Sequence, residues 1–93
     1  MVWKINYTEK ALRSLRKMDK HNARRIVDYL NKRIAPHENP RLLGKQLKGS
    51  LGDFWRYRMG DYRILCEIHD DELVILAATI GHRREVYDLI SPK

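Results

Sequence analysis

Arg56, Arg58, Arg63, Arg83, Arg84 and Tyr87 are the side chains in this sequence best equipped to hold and act on a polyanion. A guanidinium is planar, permanently charged and able to give two parallel hydrogen bonds to phosphate oxygens. A tyrosine adds a stacking ring and a donatable proton. Three of the arginines fall in FWRYRMGDYRI, residues 54–64, which reads as strand, turn, strand. Trp55, Tyr57 and Met59 alternate with Arg56 and Arg58, so the apolar and basic side chains take opposite faces. Gly60-Asp61 is a two-residue hairpin turn, with glycine supplying the positive φ that type II′ needs at its first position. After the turn Tyr62, Ile64, Cys66 and Ile68 continue the apolar face, while Arg63 and Glu67 share the other with Leu65. This register sets Arg58 opposite Arg63. Like charges facing each other across a hairpin are destabilising, so the arginine-lined face calls for a purpose other than folding.

The rest of the chain must place that face. VWKINY has strand character, with Val2, Trp3 or Ile5 able to meet a core, and Thr8 is an N-cap with Glu9 in the first turn of a helix. Ala11, Leu12, Leu15 and Met18 form one apolar stripe at helical spacing, and Ala23, Ile26, Val27, Leu30 and Ile34 a second. DKHN between them is the break of a helical hairpin, and Pro36 stops its second arm. Residues 36–53, with two prolines and three glycines, read as an irregular connection anchored by Leu42, Leu43, Leu47 and Leu51. ELVILAATI, apolar on both faces, is an inner strand of an antiparallel meander that Gly81 breaks. The predicted fold is α+β in the order β-α-α-β-β-β: a two-helix hairpin on one face of a small, mainly antiparallel sheet, with the arginine face open.

Ninety-three residues give one expected domain, 1–93, with a modest core. A net charge of +7 favours anionic partners. Ten Lys/Arg lie in residues 1–35 and six in residues 41–65, whereas Asp70, Asp71 and Glu72 make an acidic tip. Most of the first cluster reads as solvated helix surface; the second lies on strands. The longest apolar run, residues 73–78, is too short to span a bilayer, and the N-terminal residues lack the apolar core of a signal peptide, so a cytoplasmic protein without a membrane partner is expected. Cys66 reads as a small buried hydrophobe. His21, His37 and His69 have no metal-ligand spacing, and no glycine-rich phosphate loop follows a strand; neither metal nor cofactor is expected.

LKGSLGDFWRYRMGDYRILCEI followed by IGHRREVY, behind two short basic helices, resembles the RelE/ParE toxin superfamily over nearly the whole chain. The combination of RMGDYRIL with GHRREVY is specific as a set. The resemblance implies the toxin of a type II toxin-antitoxin system, of the RelE type: a metal-independent endoribonuclease that cleaves mRNA in the ribosomal A site and inhibits translation. It implies a cognate antitoxin, the ribosome with its rRNA, and mRNA as partners, and a toxin-antitoxin complex that binds operator DNA through the antitoxin. Matched residue by residue, the family pattern falls on Arg56, Arg58, Arg63, Arg83 and Tyr87; the best-known form has lysines where this chain has Arg56 and Arg58.

Cleavage without a metal can use the adjacent 2′-hydroxyl as nucleophile and passes through a dianionic phosphorane, which guanidinium groups stabilise. Arg63, Arg83 and Tyr87 are therefore the expected catalytic residues. Arg56, Arg58, Lys45, Lys48 and Arg84 are expected to bind RNA. Arginine, with a pKa above about 12, is a poor proton acceptor. That leaves His82 and Glu67 as candidates for general base, the first also readable as a capping histidine, the second as the partner of an arginine. Two other functions fit the same fold: a ParE-like inhibitor of DNA gyrase, and a noncatalytic RNA-binding module.

Overall fold

The computed structural model describes residues 2–90. Strand β1 (Lys4–Tyr7) leads through Thr8 into helix α1 (Glu9–Lys17), and α2 (Lys20–Tyr29) follows after two residues. The Thr8 hydroxyl accepts from the Ala11 N–H at 3.1 Å, as an N-cap should, and donates to the Ala78 carbonyl at 2.7 Å, so one side chain both starts the helix and fastens it to the sheet. The break between the helices is shorter than DKHN suggests. Asp19 is the residue before α2, and residues 20–22 are already helical. A wider π-turn, Leu30–Ile34, then carries the chain to Pro36, with Ile26, Leu30 and Ile34 all buried.

Short 3-10 turns, Pro40–Leu43 and Gly49–Leu51, flank a two-residue edge strand β2 (Lys45–Gln46) in the predicted irregular connection. The meander is β3 (Phe54–Met59), β4 (Tyr62–His69) and β5 (Val74–His82), and helix α3 (Arg83–Ile90) closes the described chain. The sheet order is β1-β5-β4-β3-β2, antiparallel except for the β1–β5 pair, so ELVILAATI is an inner strand as its two apolar faces require. Gly60 takes φ +59° between Met59 and Tyr62, the conformation a II′ turn demands of its first residue.

Tyr57, Ile64, Cys66, Ile75, Ala77 and Ile80 pack with Trp3, Ala11, Ile26, Leu30 and Ile34 in one buried cluster; Trp55 and Tyr62 lie at its margin. Each buried isoleucine or leucine among them contributes roughly 1.5–3 kcal/mol. The bulge at Leu65/Cys66 opposite Ala78 lets both Ala77 and Ile80 reach this cluster. Burial raises the Tyr57 and Cys66 pKa values well above their usual ranges, and the Tyr57 hydroxyl donates to the Pro40 carbonyl at 2.7 Å.

Two expectations need correction. Gly81 does not break the third strand: β5 runs through it to His82, with Gly81 paired to Arg63. The face opposite the helical hairpin is not wholly open, because α3 folds back over it. Val86, Leu65 and Leu47 form a second small buried cluster there, with Leu51 and Phe54 against it. Gly81 lies against the returning helix: a Cβ at that position would come to 3.4 Å from Glu85 Oε1 and Val86 Cγ2, close but ordinary contact. No helix among the described residues is long and apolar enough to cross a membrane.

Candidate nucleic-acid interface

Cross-strand pairing places the basic residues in two rows on the α3 side of the sheet. Lys45 pairs with Arg56 and Arg56 with Leu65; in the next row Arg58 pairs with Arg63 and Arg63 with Gly81. Directly opposed residues share a face, so Lys45, Arg56, Arg58 and Arg63 project together at the turn end of the sheet. Arg63 is therefore flanked by a like charge on one side and a bare glycine on the other.

Main-chain carbonyls hold the centre. Arg63 Nη1 donates to the Gly60 carbonyl at 2.9 Å and the Tyr62 carbonyl at 3.0 Å, while the Arg83 backbone N–H donates to the Asp61 carbonyl at 2.7 Å. The turn thus ties down the Arg63 guanidinium and the start of α3 together. Desolvation holds the Arg63 pKa below the usual guanidinium value, followed by the positive charges of Arg58, Arg56 and Arg83, with Asp61 opposing. It remains a cation. None of Arg56, Arg58, Arg63 and Arg83 forms an ion pair among the described residues. Such a cluster offers its donors to an external anion.

The remaining site candidates divide. Tyr87, 62% exposed on α3, and the exposed Arg84 lie within the helix that Arg83 begins. Lys48 is exposed beside the Gly49–Leu51 turn. His82 pairs with Tyr62 and so belongs to the helix-packed face rather than the arginine face. Its ring stands edge-on to Tyr62 at 6.1 Å between centroids, and its Nδ1 accepts from the Arg84 N–H at 3.4 Å. Glu67 shares the arginine face but sits four residues along β4 from Arg63, about 13 Å at strand rise. It pairs with His69, Oε1 to Nε2 at 3.0 Å, and not with an arginine as expected.

Glu85 is the positioning residue the sequence reading passed over. Its Oε1 accepts from the His82 N–H at 3.1 Å. This is the return half of a capping box, and the signal was present: a glutamate three residues after the residue that precedes the helix. Leu47, Leu65 and Val86 were also missed as a unit, because the segments bearing them meet only through α3.

Comparisons with known proteins agree with this architecture. Residues 5–87 match the family model of the ParE toxin of type II toxin-antitoxin systems, parDE. Toxin RelG of Mycobacterium tuberculosis is 25% identical over 87 residues, covering 94% of this chain and 98% of the relative. Among solved structures, the toxin-antitoxin complex RelBE2 from Mycobacterium tuberculosis contains a chain that superposes with a TM-score of 0.82 at 24% identity, covering 89% of this chain and 93% of that one. A chain of the archaeal RelE-RelB complex from Pyrococcus horikoshii gives a TM-score of 0.64 at 25% identity, with coverages of 89% and 97%. The matched residues span β1 to α3, including the hairpin turn that holds Arg63 and Arg83, and this chain belongs to the ParE toxin family of type II toxin-antitoxin systems, within the RelE/ParE superfamily.

Proposed function

We propose that this chain is a ribosome-dependent mRNA endoribonuclease, one RelE-like domain that inhibits translation by cutting mRNA in the ribosomal A site. The supporting observation is the gathering of Arg56, Arg58 and Arg83 around Arg63 with no carboxylate paired to any of them among the described residues. Arg63 and Arg83 hold the scissile phosphate and the charge that grows on it as the adjacent 2′-hydroxyl attacks. Arg56, Arg58, Lys45, Lys48 and Arg84 hold flanking RNA or rRNA backbone. Tyr87 reaches the leaving 5′-oxygen as proton donor, or a splayed base as a stacking surface. The products are a 2′,3′-cyclic phosphate and a 5′-hydroxyl.

The general base is the poorest-supplied role. His82 belongs to the other face and Glu67 lies a third of the way across the molecule, so the ribosome contributes by orienting the 2′-hydroxyl for in-line attack. The cell carrying such a toxin silences it with a cognate antitoxin, as the RelE and RelB complexes among its structural neighbours suggest.

The match to the ParE toxin family model keeps a second reading open, the ParE-like one that the sequence resemblance gives as inhibition of DNA gyrase. Programmed ribosomes separate the two. Codon-phased cuts ending in a 2′,3′-cyclic phosphate, seen with ribosomes and not with naked mRNA, support the interferase. Arrest of gyrase supercoiling without cuts supports the alternative, and neither result leaves a binding module.

A further inference from the structure

In-line attack needs a group that takes the proton of the 2′-hydroxyl, and that group must stand beside the phosphate. In a near-attack geometry the oxygen lies about 3–3.5 Å from phosphorus, with its base within about 2.6–3.2 Å of it. The arginines that hold the phosphate therefore mark where a base is wanted. Carboxylates along β4 and in α3 are committed elsewhere: Glu67 to His69, Asp70 to both terminal nitrogens of Arg41, Glu85 to the His82 N–H.

Asp61 differs from all of these. It is exposed and forms no ion pair among the described residues. It also sits in the turn from which Arg63 and Arg83 are held: its own carbonyl accepts from the Arg83 N–H at 2.7 Å, and the carbonyl of Gly60 just before it accepts from Arg63 Nη1 at 2.9 Å. Of the charged groups whose field reaches the Arg63 guanidinium, Arg58, Arg56 and Arg83 are positive and Asp61 is the negative one. The Asp61 carboxylate is near enough to act on Arg63 yet is not bonded to it, so its oxygens keep their acceptor capacity for a ligand.

We propose that the Asp61 carboxylate is the general base, accepting the proton of the attacking 2′-hydroxyl beside the phosphate that Arg63 and Arg83 hold. This rests on the endoribonuclease reading above and fills the role that His82 and Glu67 are placed too poorly to fill. As the 2′-oxygen bonds to phosphorus its proton passes to Asp61, the bond from phosphorus to the 5′-oxygen breaks, and that oxygen takes a proton from Tyr87 or solvent. Asp61 then loses its proton to water. Arg56 and Arg58, permanently protonated, have no lone pair to offer in its place. A carboxylate among arginines also weakens their hold on phosphate, so without a chemical role its removal should speed the reaction or leave it unchanged.

The test is single-turnover cleavage on saturating programmed ribosomes, comparing the parent with D61N, D61S and D61E. Asparagine and serine both follow glycine readily in a two-residue turn, so the backbone bonds to Arg63 and Arg83 are kept; thermal melting of each variant checks the fold. D61N and D61S should cut roughly 10²- to 10⁴-fold more slowly at neutral pH, and their rates should rise about tenfold per pH unit as hydroxide replaces the carboxylate. The parent and D61E should vary by less than about threefold over the same range, with D61E within about tenfold of the parent. Slow variants that keep the parent's pH dependence would give Asp61 a structural part and overturn the proposal. Rates equal to or above the parent's would overturn it too. In both cases the parent still cuts, and the endoribonuclease reading stands. A parent that makes no ribosome-dependent cuts overturns that reading, and the base with it.

Discussion

Arg63 and Arg83 hang from neighbouring carbonyls of one two-residue turn, Arg63 Nη1 from Gly60 and the Arg83 N–H from Asp61. Residues remote in sequence are thereby held to a single rigid point. Arg63 spends one nitrogen on the turn and keeps its other donors for a ligand. Precise placement of charged donors before a reaction begins is what makes them effective in stabilising developing charge.

The first prediction concerns those two arginines. Arg63→Ala and Arg83→Ala should each slow cleavage of ribosome-bound mRNA by roughly 10²- to 10³-fold. Stability should stay within about 0.5 kcal/mol, because lost hydrogen bonds are offset by relief of like-charge crowding. Single-turnover cleavage and urea unfolding measure the two quantities. Parent rates in both variants would remove these residues from the chemistry.

A second prediction tests how α3 is seated. Gly81→Ala brings a Cβ to 3.4 Å from Glu85 and Val86, a contact that small shifts can absorb. Gly81→Val adds two methyl groups to a space already filled, and should cost about 1–3 kcal/mol and lift α3 from Leu65 and Leu47. Amide exchange in α3 should then accelerate for the valine variant and barely change for alanine. Equal behaviour of the two would mean the helix is not held by this contact.

The hairpin was legible in the sequence because it is specified locally: the alternation in residues 54–64 fixes which side chains share a face, and Gly60 fixes the turn. Thr8 and the two helical stripes were readable for the same reason. α3 was not, since GHRREVY, residues 81–87, shows no run of apolar residues at helical spacing, and the contact of Val86 with Leu65 and Leu47 forms only once the helix has folded back over the sheet. Gly81 signals a missing side chain without saying whether the strand ends or a neighbour approaches. The pairing of β1 with β5 is likewise a long-range event that no local pattern encodes.

Two tyrosines near Cys66, Tyr57 buried and Tyr7 partly so, should respond oppositely to loss of their hydroxyl. Tyr57 donates to Pro40, so Tyr57→Phe leaves a buried carbonyl unpartnered and should destabilise by about 1–3 kcal/mol. The Tyr7 hydroxyl is buried without a hydrogen-bond partner, and burial raises its pKa. Tyr7→Phe should be neutral or stabilising by up to about 1 kcal/mol. Urea midpoints decide it, and a larger loss for Tyr7→Phe than for Tyr57→Phe would contradict both assignments.

Arg41 grips Asp70 with both guanidinium nitrogens, at 2.9 and 2.7 Å, and lies 5.7 Å from the Trp55 ring centroid. That hydrogen bonding lowers the Asp70 pKa below its ordinary value. A carboxylate depressed on folding adds stability above its unfolded pKa, about 3.9, and the contribution disappears as pH falls through the folded value. Asp70→Asn should therefore flatten the acid side of the stability profile below about pH 4, while above it the variant is uniformly less stable. Parallel profiles for the two proteins in acid would show that the pair does not couple to folding.

Tyr87 allows the sharpest separation of roles. As general acid it needs its hydroxyl, so Tyr87→Phe should slow cleavage strongly while ribosome affinity stays nearly unchanged. As a stacking platform it needs only the ring, so phenylalanine would be silent and Tyr87→Ala alone would lose activity, by about 1–3 kcal/mol. With the side chain 62% exposed, truncation to alanine should alter stability little, which separates either role from simple packing. We expect ring and hydroxyl to act together: a clear loss for phenylalanine and a greater one for alanine, in single-turnover cleavage on programmed ribosomes. Equal rates for the parent and Tyr87→Phe would exclude the hydroxyl from proton transfer, and the leaving oxygen would then have to take its proton from solvent or from the ribosome.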